Sequence, residues 1–427
     1  MRLRALVLVP IVALAFAPGG AAAVTRLDRH GTVLLDGRKV FPIVLAKGPP
    51  ADGLAAVSAA GVNVVKVGPV RDWSQAEVAR TIEDNRAATA AGIYTWVNLS
   101  GFAQIRPGGW REALLRDVVG KLEADPSGSA VALWKGADEP WKYRMRPQSL
   151  RFAYCLATGK RPAWCGGHAP VDRGRLWVTI QAPRAGVWSL APYAAVTDVH
   201  GVNSYPIAIG DPDPDLGEVG SWTEVLSLAT PRRAVWTTLQ ICWRWSYDAT
   251  GGVTLPTRDQ MRFMIYDAIL SGARALAFYG GQNPKCWGPL DAAGGWNWTF
   301  WERVLEPLVR EIGAAGPLAP ALVNPGSTRE LATSDRSVRA ISRRGRNGET
   351  WVIAVRRGAG DPVEASIGGL PAGAAAAAVY GEGRAVTVDR GTVTDTFPAW
   401  STRVYRVTSS VRSSWLSPGT AHSYQMR

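Results

Sequence analysis

Short apolar segments alternate with helix-forming segments over most of the chain. Eight apolar segments rich in β-branched and aromatic residues are predicted to be strands, at 41–46, 63–68, 93–98, 131–134, 176–181, 199–203, 234–240 and 275–279. Apolar strands that alternate with helices indicate a parallel sheet covered by helices. Eight such units over roughly 270 residues predict an α/β fold of the (β/α)8 TIM barrel type. An open doubly wound sheet is the weaker alternative, because no G-x-G-x-x-G sequence follows the first strand.

The helix before the eighth strand has recognisable ends. Residues 258–270 place apolar side chains at helical spacing, Thr257 can cap the first turn, and Ser271 and Gly272 follow the last. Residues 301–312 are predicted to be the closing helix of the barrel.

A different pattern begins after a group of prolines near residue 317. Segments 338–343, 350–356, 377–380 and 402–407 alternate polar and apolar residues or are β-branched, and turns rich in Gly, Asp and Asn separate them. This pattern is typical of an antiparallel β-sandwich. The predicted organisation is therefore a barrel domain at 24–316, a C-terminal β-sandwich domain at 317–408 and a flexible polar tail at 409–427.

The first 23 residues have the three parts of a secretory signal. A basic start, Met1 to Arg4, precedes an apolar stretch from Ala5 to Ala17, and small residues end at Ala23. The apolar stretch is shorter than the roughly 20 residues that span a bilayer. We therefore expect a signal peptide at 1–23 and a secreted protein, extracellular or periplasmic, without a membrane span.

Export would permit disulfides between the four cysteines. We expect the pairs Cys155–Cys165, closing a short loop, and Cys242–Cys286, joining the loops after two neighbouring strands. There is no C-x-x-C pair and the four histidines are scattered, so we predict no metal site and no cofactor.

The formal net charge of +13 adds little to this picture. The basic residues are mostly arginines spread along the chain, without a run of five or six. We interpret them as solvated surface and predict no nucleic-acid partner, while an acidic polysaccharide is left open.

Polar and aromatic residues stand where the predicted strands end, which in this fold is the active-site face. Amides and carboxylates can bind sugar hydroxyls, and aromatic rings can cover the apolar faces of sugars. Many of the 19 tryptophans follow strands in the same way. We predict a carbohydrate substrate, an oligosaccharide or polysaccharide. The expected substrate-binding residues are Lys66, Asn98, Trp141, Gln181, Asn203, Tyr205, Gln240, Trp243 and Tyr279.

The segment 135–140, Lys-Gly-Ala-Asp-Glu-Pro, ends the fourth predicted strand. It resembles the Asn-Glu-Pro and Asp-Glu-Pro motifs of the TIM-barrel glycoside hydrolases, in which this Glu is the acid/base. The resemblance covers residues 41 to about 313 as architecture and only this tripeptide as a motif. It implies that Glu139 is the proton donor for glycosidic cleavage, with Asp138 as a second catalytic residue.

The chain departs from that superfamily at the seventh strand, where the usual nucleophilic Glu is replaced by Gln240. Three explanations are open: another carboxylate acts; the Asp138–Glu139 pair acts alone; or hydrolysis has been lost. The second resembles hexosaminidase-type barrels, where the substrate's own N-acetyl group is the nucleophile. The other carboxylates considered are Asp72, Asp291, Glu302 and the loop residues Asp211, Asp213 and Asp215. Asp198 is disfavoured because it lies about five residues, or roughly 16 Å, below the strand end.

The predicted function is therefore a secreted glycoside hydrolase that cleaves O-glycosidic bonds with Glu139 as general acid. One alternative is a non-catalytic glycan-binding protein on a degenerate barrel, which the absence of the seventh-strand Glu favours. A less favoured alternative is a polysaccharide lyase, for which Lys47, Lys66 or Tyr205 would be the base beside a uronic acid.

Overall fold

The computed structural model describes residues 23–408. The predicted signal peptide, apart from Ala23, and the predicted tail at 409–427 lie outside the described residues. Within 23–408, the structure contains no helix with the length and apolar character needed to cross a membrane.

A small antiparallel sheet precedes the barrel and was not predicted. Its strands are β1 (Thr25–Leu27), β2 (Val33–Leu35) and β3 (Arg38–Val40). Val33 and Leu35 pack into the same cluster as Val44 and Ala234 from the barrel interior. Because Ala234 is the first residue of its barrel strand, the small sheet covers the amino-terminal end of the barrel.

The predicted eight-stranded parallel barrel is confirmed. The strands are β4 (Ile43–Leu45), β5 (Val64–Val67), β6 (Tyr94–Asn98), β7 (Val131–Asp138), β8 (Leu176–Gln181), β9 (Val199–Ser204), β10 (Ala234–Gln240) and β11 (Ala275–Tyr279). Pairing of β11 with β4 closes the barrel. The main difference from the sequence prediction is β7, which continues to Asp138 across an irregularity in its pairing with β8.

Helices surround the barrel. They are α1 (Leu54–Ala60), α2 (Gln75–Ala90), α3 (Trp110–Ala124), α4 (Arg151–Thr158), α5 (Val187–Leu190), α6 (Glu218–Ala229), α7 (Arg258–Leu270), α8 (Asp291–Gly294), α9 (Trp298–Phe300), α10 (Glu306–Ile312) and α11 (Ala319–Leu322). The α7 helix begins with the predicted cap, since the Thr257 hydroxyl accepts from the Gln260 amide and the Gln260 side chain accepts in return. The predicted closing helix at 301–312 is divided into a π-helical segment (Trp301–Leu305) and α10, and α9 directly precedes it.

Alternation along the strands determines which side chains enter the barrel. Val64, Trp96, Leu133 and Trp236 belong to the interior cluster, and Trp96 and Trp236 meet edge to face. Val199 and Ala277 belong to the same cluster. Every second residue along a strand points to the same side, so the inward phase continues to the end of each strand. The inward positions nearest the carboxyl ends are therefore Lys66, Asn98, Lys135, Asn203, Gln240 and Tyr279.

The C-terminal region is an antiparallel sheet of eight strands. They are β12 (Arg329–Leu331), β13 (Val338–Arg344), β14 (Thr350–Arg356), β15 (Val363–Ile367), β16 (Ala376–Val379), β17 (Arg384–Asp389), β18 (Thr392–Phe397) and β19 (Ser401–Val407). The order is β12-β13-β14-β19-β16-β17-β18-β15, and the four predicted segments are β13, β14, β16 and β19.

The sheet is anchored to the outer side of the barrel at α7. Arg357 donates to Asp267 at 2.8 Å and to Ser271 at 2.8 Å. Arg262 donates to the carbonyl of Thr402 at 3.0 Å. These bonds join the sheet to the helical layer rather than to the open end of the barrel.

Candidate active site

Glu139 lies where β7 ends, in an unusual backbone conformation. Its φ is 47°, in the left-handed region that non-glycine residues seldom adopt. The main chain is held there because the Glu139 amide donates to the carbonyl of Ile180 on β8 at 2.6 Å. Backbone strain of this kind concentrates at functional sites.

The Glu139 carboxylate is held by two side chains. One oxygen accepts from the amide of Asn203 on β9 at 3.0 Å, and the other from the ammonium of Lys142 at 2.5 Å. Its side chain is 14% exposed. The bond to Glu139 raises the pKa of Lys142. Glu139 and Asn203, predicted to share a site, are therefore in direct contact.

Asp138 extends from the same turn into solvent. Its side chain is 50% exposed and forms an ion pair at 2.8 Å with Lys135, which is 7% exposed. Burial, then Tyr279 and the two carboxylates, Asp138 and Glu139, raise the pKa of the Tyr205 hydroxyl well above 10.0. The acidic pair and the two tyrosines therefore face the same space.

Four aromatic residues form a continuous surface beside the acidic pair, here called the aromatic wall: Tyr205, Tyr279, Trp243 and Trp245. Tyr205 stacks on Tyr279 with ring centroids 5.7 Å apart and lies 5.4 Å from Trp243. Trp243 contacts Trp245 edge to face. Tyr279 is 36% and Trp245 49% exposed, so part of the wall is open to solvent.

Trp141, in the loop after β7, is also 36% exposed. Not every tryptophan near a strand end is available in this way. Trp73 and Trp296 are almost fully buried and belong to the core between barrel and helices.

Gln181 differs from the prediction that it binds substrate. It follows the inward-facing Ile180, so its side chain enters the layer between barrel and helices, where it is fully buried. Its amide oxygen accepts from the backbone of Trp141 at 3.2 Å, and its amide nitrogen lies 3.0 Å from Nε2 of His200. Through its bond to Trp141, Gln181 holds the loop that carries Glu139 from the outer side of the barrel.

Gln240 points inward as expected, but its amide is already fully used. It is buried, its oxygen accepts from the Ile207 amide at 2.9 Å, and its nitrogen donates to the Ile207 carbonyl at 2.7 Å. A carboxylate could not make the second bond, because it has no proton to donate. The residue that replaces the usual Glu therefore fastens the loop after β9 to β10.

Three of the six other carboxylates considered from the sequence accept hydrogen bonds from the backbone. Asp291 is buried and accepts from the amides of Gly288 and Thr299. Asp211 and Asp215 accept from backbone amides of their own loop. Asp72, Asp213 and Glu302 are exposed, and within residues 23–408 no hydrogen bond joins them to Glu139.

Asp198 is also bound to the structure. It accepts from the hydroxyl of Tyr154 at 2.8 Å and the amide of Trp177 at 2.9 Å. It therefore lies near the start of β8, as the distance argument expected.

Two further polar groups, Asn98 and Lys66, lie at the carboxyl-terminal end of the barrel, here called the mouth. Asn98 is buried, pairs in register with Lys135, and accepts from the amide of Ser100 at 3.3 Å. Burial, and then the charge of Lys135, lower the pKa of Lys66 to about 8. Sequence reasoning missed Lys135 and Lys142; the inward phase of β7, continued two residues beyond Leu133, would have found the first.

Within the described part of the chain, no three His, Cys, Asp or Glu side chains form a group that could hold a metal ion.

Both predicted disulfides are confirmed: Cys155–Cys165 and Cys242–Cys286. The second joins the loop after β10, which carries Trp243, to the loop after β11. It spans 44 residues, against 10 for the first.

Replacing both Cys242 and Cys286 by Ser should lower the free energy of unfolding by roughly 4 kcal/mol, because a long loop is no longer closed in the unfolded chain. The matched change at Cys155 and Cys165 should cost roughly 3 kcal/mol. Urea unfolding of both double variants measures the difference. An equal or reversed order would show that loop closure does not set these effects.

His200 should make the protein sensitive to acid. It is buried on β9 and its Nε2 accepts from the Gln181 amide. Burial, and to a lesser extent Arg233, lower the pKa of His200 from 6.5 to about 3. As the pH falls below about 6.5, His200 is protonated in the unfolded chain but stays neutral in the folded protein. The contribution of His200 to the free energy of unfolding is therefore fully present above pH 6.5 and is lost as the pH falls towards 3.

We expect this residue to contribute a slope of up to about 1.4 kcal/mol per pH unit between pH 6 and pH 4. Replacing His200 by Asn, which can still accept from Gln181, should flatten the slope in urea unfolding measured across that range. The same change at the exposed His30 should leave it unaltered. An unchanged slope in the His200 variant would contradict the assignment.

Comparison with solved structures gives the same fold at low sequence identity. A glycoside hydrolase superposes with a TM-score of 0.56 at 13% identity, over 92% of this chain and 100% of the other. An α-amylase from Geobacillus thermoleovorans, solved with acarbose, gives 0.51 at 10% over 84% and 92%. An Anoxybacillus α-amylase gives 0.52 at 10% over 85% and 90%.

No protein-family model matches the sequence, and no curated protein matches it either. The structural similarity therefore shows the fold alone, which is a closed parallel barrel of eight strands followed by an antiparallel sheet. At such low identity the similarity assigns neither substrate nor catalytic residues.

Proposed function

We propose that this protein is a secreted glycoside hydrolase that cleaves O-glycosidic bonds of an oligosaccharide or polysaccharide with Glu139 as general acid. The observation that carries the proposal is the position of Glu139: it ends the fourth barrel strand and is bonded to Asn203 beside the aromatic wall. Glycosidic cleavage needs an acid at the leaving oxygen and a surface that aligns the sugar rings. Both are present on one face.

To act as an acid, Glu139 must carry a proton when the substrate is bound. Its partner Lys142 is 52% exposed and belongs to a loop, so an entering sugar can displace the ammonium. In general, loss of a neighbouring positive charge and of surrounding water favours the neutral form of a carboxyl group. Glu139 then protonates the glycosidic oxygen as the bond to the anomeric carbon breaks, and the leaving group departs as an alcohol.

We propose Asp138 as the second group. It forms an ion pair with Lys135, it is half exposed, and the carboxylates considered as alternatives are either bonded to the backbone or exposed without a link to Glu139. An ionised Asp138 can accept the proton of an attacking water. It can instead hold the N–H of a substrate acetamido group, whose oxygen then attacks the anomeric carbon.

The domain assignments belong to the same proposal: signal peptide 1–23, catalytic barrel 24–316 and β-sandwich 317–408. Disulfide formation supports an oxidising compartment. A bridge between Thr333 and Ile367 brings the two ends of the C-terminal sheet together, and residues from β13 to β19 share one core, which supports a sandwich.

A panel of aryl glycosides and polysaccharides, with and without 2-acetamido groups, tests the function. We expect release of reducing ends from at least one substrate. Activity confined to 2-acetamido sugars would assign the nucleophile to the substrate, and absorbance of an unsaturated product would assign a lyase instead. Failure to cleave any member would overturn the proposal.

A second candidate is a glycan-binding protein that has lost hydrolysis. It is favoured by Gln240, whose amide fastens a loop in place of the usual nucleophile, and by the ammonium partner that each carboxylate already has. Saturable binding of a glycan without release of reducing ends would decide for it.

A further inference from the structure

Two lysines point into the mouth of the barrel. Val64 and Leu133 belong to the interior cluster, so Lys66 on β5 and Lys135 on β7 lie on the inner side two residues further on. Only β6 separates their strands, and it is in register with Lys66 at Trp96 and with Lys135 at Asn98. The two ammonium groups therefore approach the same space from barrel strands that are separated only by β6.

The charges in this space do not balance. Lys135 is paired with Asp138, and Lys142 with Glu139. Within residues 23–408, Lys66 has neither a hydrogen bond nor an ion pair to another side chain. It is nevertheless partly buried, so it is a desolvated positive charge without a counter-charge of its own.

An unpaired, partly buried ammonium group costs free energy in the free protein, and this cost is relieved when an anion binds beside it. Burial first, and then Lys135, lower the pKa of Lys66 to about 8, while Asp138 acts in the opposite direction. At neutral pH most of the amine is therefore still protonated. A negatively charged group brought into the mouth would supply the missing counter-charge in a place where water competes weakly.

We infer that the mouth binds an anionic substituent of the sugar through Lys66, with Lys135 adding its charge, and that the substrate is consequently an acidic glycan. The inference rests on the proposed carbohydrate substrate and specifies its chemical class, a uronic acid carboxylate or a sulfate ester. Exposed cations in the loops after β7, β10 and β11 fit a polymer with repeated negative charge. They are Arg144, Arg146, Arg244 and Lys285.

Matched pairs of ligands test this directly. Binding is measured calorimetrically at about 0.1 M salt, where long-range attraction between exposed charges is screened, with the Glu139→Gln protein, so that turnover does not intervene. One pair is an oligogalacturonate and its neutral methyl ester, and the other a carrageenan oligosaccharide and its desulfated form. We expect at least one charged member to bind roughly tenfold tighter or more than its neutral counterpart. The pair that shows the preference identifies the source of the anion.

Adding Lys66→Met should remove that preference and leave binding of the neutral member within about twofold. Lys121→Met is the matched control, because Lys121 lies on α3 paired with Asp117 and its loss changes the net charge equally. Equal binding of charged and neutral members, no binding of either, or an equal loss in the Lys121 variant would overturn the inference.

Thermal unfolding separates these outcomes from misfolding. We expect Lys66→Met to fold with unchanged or higher stability, because it removes an unpaired charge that is partly buried, and Lys66→Gln serves as a second variant if it does not. Hydrolysis by the unmodified protein is measured separately. Equal kcat/KM on neutral and acidic glycans would overturn this inference alone, whereas charge-selective binding without cleavage would overturn the proposed hydrolase alone.

Discussion

Replacing Glu139 by Gln should lower turnover of a cleaved glycan by roughly 10²- to 10⁴-fold, the usual contribution of general acid catalysis. The amide has the same shape and can still accept from Asn203, but it has no proton for the leaving oxygen. Loss of the pairing with Lys142 should cost about 1 kcal/mol or less, since Lys142 is half exposed. The fold should therefore survive while the chemistry does not.

The measurement is kcat on two aryl glycosides that differ only in the acidity of the phenol. A good leaving group such as dinitrophenol needs little protonation, so its kcat should fall far less than that of an unactivated phenol. Glu83→Gln, at an exposed position of α2, is the control and should leave both rates unchanged. If both substrates lost activity equally, Glu139 would not be the acid; undiminished rates would exclude it from the mechanism.

Replacing Gln240 by Glu should destabilise the protein by about 2–4 kcal/mol at pH 7 instead of restoring the nucleophile usual at this strand. An ionised Glu would remove one of the two donors to the Ile207 carbonyl, place a charged oxygen against that carbonyl and bury a charge. A protonated Glu could make both bonds, so the pKa of the new carboxyl should be raised in the folded state. The deficit should accordingly be small near pH 4 and grow as the pH rises.

Urea unfolding at pH 5 and pH 7.5 measures this change. Gln104→Glu, which alters an exposed amide, should stay within about 0.5 kcal/mol of the parent at both. Equal stability of the Gln240 variant at pH 7.5 would show that its bonds to Ile207 are dispensable. A gain in turnover would show that the side chain takes part in the reaction, and it would contradict the purely structural role of Gln240.

The barrel was predictable because its strands are continuous apolar runs that differ clearly from the helices between them. The strands β1 to β3 were not, because each has only three residues and their pairing is not encoded in a local period. In the C-terminal region, β17 and β18 mix charged and apolar residues, and their identity as strands depends on pairing with each other and with β16 and β15 rather than on local composition.

In the candidate site, too, features set by neighbouring residues were predictable, and features set by contacts between distant segments were not. Glu139 was found because a motif and a strand end coincide. The role of Gln240 was not, because it depends on the loop after β9 returning to β10. Gln181 was predicted to bind substrate because it ends a strand. Ile180 faces the barrel interior, so the side chain of Gln181, one residue later, points to the outer side. One residue of register decides between the two faces.

The loops that carry the aromatic wall are fastened to one another. Gln240 ties the loop after β9 to β10, Trp243 donates from its indole to the Ile207 carbonyl at 2.9 Å, and Cys242–Cys286 ties the loops after β10 and β11. The rings are thus ordered before any ligand arrives, and binding need not immobilise them. Their conformational entropy has already been lost during folding, so a reductant that opens this disulfide should weaken sugar binding chiefly through an entropic penalty.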